Sequence, residues 1–124
     1  MMKRVILVQD IEVDCHILQK LSRFPEVCFD YYSLQSFYPH LALTQRPDLI
    51  IFDINRCGTS WLWRLEQISS ISDDWGVVRP YVIVLPATPS EELEKMIRGA
   101  KVDFYLPKTF DDASLDVAFA RILS

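Results

Sequence analysis

Glycine is scarce in this chain, three among 124 residues, and Gly58, Gly76 and Gly99 stand far apart. That excludes a dinucleotide fingerprint or a Walker pattern, both of which need clustered glycines so that backbone N–H groups can approach a phosphate. Cysteine is equally rare, and Cys15, Cys28 and Cys57 are odd in number and lack close pairing. A zinc ligand set and a disulfide scaffold are thereby excluded, which leaves buried or neutral thiols of a reducing cytosol. Positive charge is in deficit, 13 Lys and Arg against 17 Asp and Glu for a net charge of −4, and the basic residues are scattered. A general nucleic-acid surface draws on clustered Lys and Arg, so direct nucleic-acid binding is not expected. Long apolar runs are also missing. After Met1-Met2-Lys3-Arg4 the apolar stretch is too short for a signal peptide or a membrane span, so a cytoplasmic location is expected.

What is present is a core. Half of the residues are hydrophobic, 50% by count, and a chain of this length hides roughly two-thirds of its unfolded surface. One self-sufficient domain over 1–124 is the expectation.

Val5-Ile6-Leu7-Val8 is a continuous apolar run that stops at Gln9-Asp10, as a strand buried on both faces does at a sheet edge. Ile11, Cys15, Leu18 and Leu21 recur at helical spacing and predict a helix over 11–24, with Pro25 as the exit. Val27 to Ser33 reads as a second strand, and Phe37, Leu41 and their neighbours as a short helix with Pro39 in its first turn. Leu49-Ile50-Ile51-Phe52 is again fully apolar and ends abruptly in Asp53. Gly58-Thr59-Ser60 leads into a helix carrying Trp61, Leu62, Leu65 and Ile68, and Ser69 through Arg79 read as a polar loop. In the stretch from Trp61 to Trp63, the pattern predicts core packing plus one exposed ring. Tyr81 to Leu85 is a fourth buried strand that Pro86 closes.

Thr88-Pro89-Ser90-Glu91 has the pattern of a capping box with Thr88 as the cap of a helix whose inner face is Leu93, Met96, Ile97 and Ala100. Val102 to Pro107 reads as a fifth strand, and Leu115, Ala118, Phe119 and Ile122 as the inner face of a last helix. Strands alternating with helices, several strands apolar on both faces, imply right-handed crossovers and a parallel sheet covered on both sides.

In such a sheet ligands sit beyond the carboxyl ends of the strands. Gln9, Asp10, Asp53, Pro86 and Lys108 end strands and so share one rim. Two carboxylates and an ammonium there suit a divalent cation and a phosphoryl group, because hard oxygens hold Mg²⁺ and Lys pairs with phosphate. His16 and His40 lie away from that rim and read as surface or packing residues.

The segments Arg4 to Asp10, Pro47 to Asp53, and Gly99-Ala100 with Phe104-Tyr105-Leu106-Pro107-Lys108-Thr109-Phe110 occur in the order and at the element boundaries of the response-regulator receiver family, which the chain resembles over essentially its whole length. The resemblance implies a doubly wound α/β fold of the flavodoxin-like type, a five-stranded parallel sheet in the order 2-1-3-4-5 with helices on both faces. It implies that Asp53 is the phosphoacceptor in a two-component phosphorelay, that Asp10, Asp53 and the backbone carbonyl of Asn55 hold Mg²⁺, that Lys108 balances the phosphoryl charge, and that Tyr105 is the mobile switch aromatic. The implied partners are a histidine kinase or phosphotransfer protein and a downstream protein bound on the face of the fourth helix, fifth strand and fifth helix. It also allows a homodimer. Such transfer is mostly positioning plus charge neutralisation, so few side chains suffice and no enzymatic activity of its own is expected.

Three positions depart from the family pattern. Gln9 stands where a second carboxylate is usual, so Mg²⁺ affinity is expected to fall, by roughly ten- to a hundred-fold if lost supporting ligands are the guide. An amide there could act through a water. Pro86 stands where a Ser or Thr hydroxyl bonds the phosphoryl group, and Pro has neither hydroxyl nor N–H. A charge-assisted hydrogen bond is worth about 1.5–3 kcal/mol, against about 5.5 kcal/mol needed to turn a two-state domain from mostly off to mostly on. Thr109 replaces the Pro that typically follows the lysine, which alters how Lys108 is presented.

Two functions therefore compete: a phosphorylatable receiver, supported by Asp10, Asp53 and Lys108, and a pseudo-receiver that binds proteins without phosphorylation, supported by Gln9, Pro86 and Thr109. A flavin protein or an Asp-nucleophile phosphatase on a similar sheet is disfavoured, since acidic Asp10, Glu12 and Asp14 occupy the stretch where a flavin phosphate needs small residues.

Overall fold

A run that is apolar at every position can satisfy itself only where both faces of a sheet are covered, and three such runs form the centre of this one. The computed structural model describes residues 2–9, 17, 19, 22–54, 60–86, 90–106 and 112–123. Strands β1 (Lys3–Gln9), β2 (Val27–Ser33), β3 (Leu49–Ile54), β4 (Tyr81–Pro86) and β5 (Phe104–Tyr105) alternate with helices Pro39–Thr44, Ser60–Trp75, Glu91–Arg98 and Asp112–Leu123. The sheet is five-stranded in the order β2-β1-β3-β4-β5, and every neighbouring pair is parallel. This is the doubly wound α/β architecture that the sequence implies.

Side-chain alternation splits the strands between two cores. Ile6, Val8, Ile50, Phe52, Ile54, Val82 and Val84 face one layer, where Phe37, Trp61, Leu65, Ile68 and Ile97 pack on them. Val5, Leu7, Leu49, Ile51, Ile83 and Leu85 face the other, under Ile17, Leu115, Ala118, Phe119 and Ile122. Fully burying each such side chain stabilises the fold by about 1.5–3 kcal/mol. Phe37 meets Phe52 edge to face with centroids 5.8 Å apart, which fixes the short Pro39–Thr44 helix over the sheet. Pro39 occupies the first turn of that helix as expected, and its buried residues are Pro39, Ala42 and Leu43. Leu41 faces solvent instead.

Several elements differ from the sequence expectation. Ser69 to Trp75 is helix rather than loop, because Ile71 and Ser72 continue the buried stripe of Trp61, Leu65 and Ile68 through another turn. The helix stops at Gly76, whose φ of +66° only glycine adopts without strain. There the Gly76 N–H donates to the Asp73 carbonyl at 3.2 Å and the Val77 N–H to the Ser72 carbonyl at 3.1 Å, the double closure of a Schellman ending. The helix Glu91–Arg98 is capped by Ser90, not Thr88: the Ser90 side chain accepts from the Leu93 N–H at 3.1 Å. Thr88 and Pro89 lie outside the described residues. β5 is two residues long where six were expected. Within the predicted 11–24 helix, Ile17 and Gln19 are helical and most other positions lie outside the described residues, but Ser22 and Arg23 already form a turn. Phe24 precedes Pro25, which disfavours helical backbone at that position, and it packs on Phe119 instead. Cys28 is exposed, not buried, and Cys15 and Cys57 lie outside the described residues.

Candidate functional site

Burial singles out one polar pair. The buried polar residues among those described are Gln9, Asp53 and Ser72. Ser72 is accounted for locally, since its hydroxyl donates to the Ile68 carbonyl one helical turn back at 2.7 Å. Gln9 is the last residue of β1 and Asp53 the last but one of β3, and the parallel register places them directly side by side. Their parity matches Val5 and Leu7 on one strand and Leu49 and Ile51 on the other, so both project to the same face of the sheet. Asp53 is 0% exposed and Gln9 1%. The Gln9 Nε2 donates to Asp53 Oδ2 at 2.6 Å.

A buried carboxylate is costly unless hydrogen-bonded or paired. The amide of Gln9 meets part of that need without adding charge. Which end of the amide faces Asp53 follows from chemistry, because at 2.6 Å from a carboxylate oxygen only the N–H end is attractive. The other end, Gln9 Oε1, is buried and has no hydrogen-bond partner among the described residues.

The rest of the expected site is brought together in part. Pro86 is the last residue of β4 and is paired in register with Ile54, whereas Asp53 is paired with Leu85. By strand alternation Pro86 therefore shares the parity of Val82 and Val84, opposite to Asp53. Tyr105 lies on β5 in register with Val84, packed against the layer that holds Ile97. Its hydroxyl is buried without a hydrogen-bond partner among the described residues. Burial first, and the nearby Glu94 carboxylate second, hold the phenol above its usual ionisation range. Asp10, Asn55, Lys108 and Thr109 lie outside the described residues.

Of the residues implied to hold Mg²⁺, Asp53 alone is among those described. Mg²⁺ takes oxygen ligands only, and here a hydrogen-bond donor is directed at the carboxylate that would bind it. No group of three or more His, Cys, Asp or Glu that could hold a metal is found among the described residues. Sequence reasoning treated Gln9 as a missing charge acting through a water; the structure gives it a direct bond to Asp53. Matched parity in two adjacent strands was the signal that could have found it. His40, read as a surface or packing residue, is exposed and sets its ring against Trp75 at 6.2 Å. Trp61 is 2% exposed and Trp63 54%, as core plus one outward ring. A cavity of about 440 Å³, lined by residues such as Leu43, Arg46, Arg79 and Tyr81, lies at the opposite edge of the sheet, where β3 and β4 begin.

Neither a family model nor a curated protein sequence matches the chain. Solved structures do. The signal receiver domain of the response regulator NarL from Mycobacterium tuberculosis is similar with a TM-score of 0.73 at 14% identity, over 98% of this chain and 96% of that one. The receiver domain of a sensor histidine kinase from Pseudomonas aeruginosa, with a magnesium ion coordinated in its active-site cleft, is similar with a TM-score of 0.73 at 20% identity, over 99% of this chain and 98% of that one. This chain has the receiver fold. A CheY-like receiver domain from Methanospirillum hungatei, at 22% identity and a TM-score of 0.68, covers 99% of this chain and 94% of its own. Within the receiver fold, Asp53 stands at the carboxyl end of the central strand, the rim where ligands of such sheets collect. Among the described residues no helix is long and apolar enough to cross a membrane.

Proposed function

We propose that this protein is a receiver-fold signalling module, one unit over 1–124, that works in the cytoplasm through protein–protein contacts and without a phosphorylation switch. The observation that carries the reading is the 2.6 Å hydrogen bond from Gln9 to a fully buried Asp53. A carboxylate already engaged by a neutral donor is a poorer nucleophile and a poorer metal ligand, and Pro86 offers no hydroxyl to a phosphoryl group. In this reading the partner binds the face made by the helix Glu91–Arg98, β5 and the helix Asp112–Leu123, the protein catalyses no reaction, and it binds neither nucleic acid nor membrane directly. The same surfaces would serve a homodimer.

A second reading, a phosphorylatable receiver, is favoured by the position of Asp53 itself, a carboxylate kept at the end of the central strand. It requires Asp10, Asn55 and Lys108 to complete the site, with Asp10, Asp53 and the Asn55 carbonyl holding Mg²⁺, Lys108 balancing the phosphoryl charge, Tyr105 as the switch, and a histidine kinase or phosphotransfer protein as donor. When bound, Mg²⁺ would neutralise the charge that builds on the transferring group. Asp53 would supply the attacking oxygen once Gln9 released it.

Intact mass after incubation with acetyl phosphate and Mg²⁺, with tryptophan fluorescence under beryllofluoride, separates the two readings. The pseudo-receiver reading expects no added phosphoryl mass and no saturable fluorescence change. Phosphorylation that disappears in Asp53→Ala would establish the second reading.

A further inference from the structure

We infer that Gln9 is a built-in competitor of the divalent cation: its amide N–H and Mg²⁺ compete for the same carboxylate, so the wild-type site disfavours the metal. The inference rests on reading Asp53 as the phosphoacceptor position of the receiver fold, and it adds the residue that disfavours metal at this position. Three observations support it. The register sets Gln9 and Asp53 side by side with the same parity. The donor faces the carboxylate at 2.6 Å. Both side chains are closed off from water, so bulk solvent cannot take over when the bond breaks.

A cation approaching Asp53 Oδ2 meets the hydrogens of an N–H group. To admit it, the amide would have to turn over and present Oε1, which would set two acceptor oxygens against each other at 2.6 Å with no proton between them. A cation, or a proton on Asp53, is needed to relieve that contact, so the present hydrogen bond and the metal compete for the same oxygen. Losing a charge-assisted hydrogen bond first should weaken Mg²⁺ binding by roughly ten- to a hundred-fold relative to a carboxylate at position 9.

Gln9→Glu tests this with almost no change of shape, exchanging the N–H end for an oxygen. Thermal unfolding and isothermal titration calorimetry of the full chain with Mg²⁺ alone provide the readout, so no partner or phosphodonor is needed. Wild type should bind at least ten-fold more weakly than Gln9→Glu. Gln9→Glu should melt lower than wild type without metal and recover saturably with it. Gln9→Met, which keeps the length but removes donor and acceptor, should melt lower than wild type without metal and, with the competing N–H gone, bind Mg²⁺ more tightly than wild type. The inference is overturned if wild type and Gln9→Glu bind Mg²⁺ within about three-fold of each other, or if Gln9→Met melts like wild type. Should Gln9→Glu fail to fold, Gln9→Met decides alone by the same criterion. The functional reading fails separately: phosphorylation of wild type alongside ten-fold tighter Mg²⁺ binding by Gln9→Glu would refute the pseudo-receiver and leave the role of Gln9 standing.

Discussion

Asp48 and Asp53 bracket the same strand, and the protein treats them in opposite ways. Asp48, at the start of β3, is half-exposed and stitched into backbone. Its Oδ2 accepts from the Arg4 N–H at 2.9 Å, its own N–H donates to the Arg4 carbonyl at 2.8 Å, and its carbonyl accepts from the Tyr81 N–H at 3.0 Å. Asp103 does similar work where β5 begins, accepting from the Val82 N–H at 2.8 Å and standing 3.5 Å from the Arg79 guanidinium. Asp53, at the far end of β3, is buried and held by a side-chain amide. The difference follows from chain direction. Parallel strands offer N–H groups where they begin and carbonyls where they end, so a carboxylate finds ready donors at one edge and must be given them at the other. At the first edge an aspartate is a clasp; at the second it is either a strain or a site.

Breaking the buried partner should cost most. Gln9→Met is expected to lower stability by about 1.5–3 kcal/mol, the value of a hydrogen bond to a charged group, as measured by urea denaturation; a loss below about 0.5 kcal/mol would show that Asp53 does not depend on the amide. Next is Asp103→Ala, which removes a backbone partner and a partly exposed ion pair and should cost about 1.5 kcal/mol by the same assay. Asp48→Ala gives up one backbone partner that water can replace, for about 1 kcal/mol; a loss larger than that of Gln9→Met would invert the proposed ranking of the two edges.

The smallest effect at neutral pH belongs to Tyr105→Phe, within about 0.5 kcal/mol of wild type, because the hydroxyl has no partner to lose among the described residues. Its signature is alkaline. With the folded phenol held above the ordinary 10.0, the folded state keeps its proton longer than the unfolded chain, so this contribution is whole below pH 10 and is lost as pH rises through the folded value. Stability measured across that range should fall more gently in Tyr105→Phe than in wild type.

The central strands were readable because Val5 to Val8, Leu49 to Phe52 and Val82 to Leu85 are apolar at every position and buried throughout, whereas Tyr81, expected in the buried run, is exposed. The end of the Ser60–Trp75 helix was harder. Ser69-Ser70 and Asp73-Asp74 look like loop when taken alone, and only Ile71 with Ser72 carries the buried stripe through them to Gly76. Thr88 and Ser90 both suit a cap, and the capping-box pattern favours Thr88; the start of the helix at Glu91 gives the role to Ser90. Gln9 and Asp53 were each visible as the end of a strand, yet their bond depends on the register between β1 and β3, which links residues 44 positions apart. A departure from the family pattern was legible at Gln9, but what the amide does instead was not.

The brevity of β5 gives the sheet an uneven resistance to opening. β2 is aligned with β1 over seven residues, whereas β5 is aligned with β4 only at Phe104 and Tyr105. The ladder here rests on the Asp103 N–H to the Val82 carbonyl at 2.9 Å and the Leu106 N–H to the Val84 carbonyl at 3.0 Å, with the Asp103 carboxylate as clasp. With fewer bonds than β2 makes, this side can come away from β4 at a free energy below that of global unfolding. Backbone amides of residues 103–106 should therefore exchange their hydrogens with solvent well before those of β1 and β3. That edge would act as a hinge-like seam, along which the Tyr105 face can loosen while Gln9 and Asp53 stay locked.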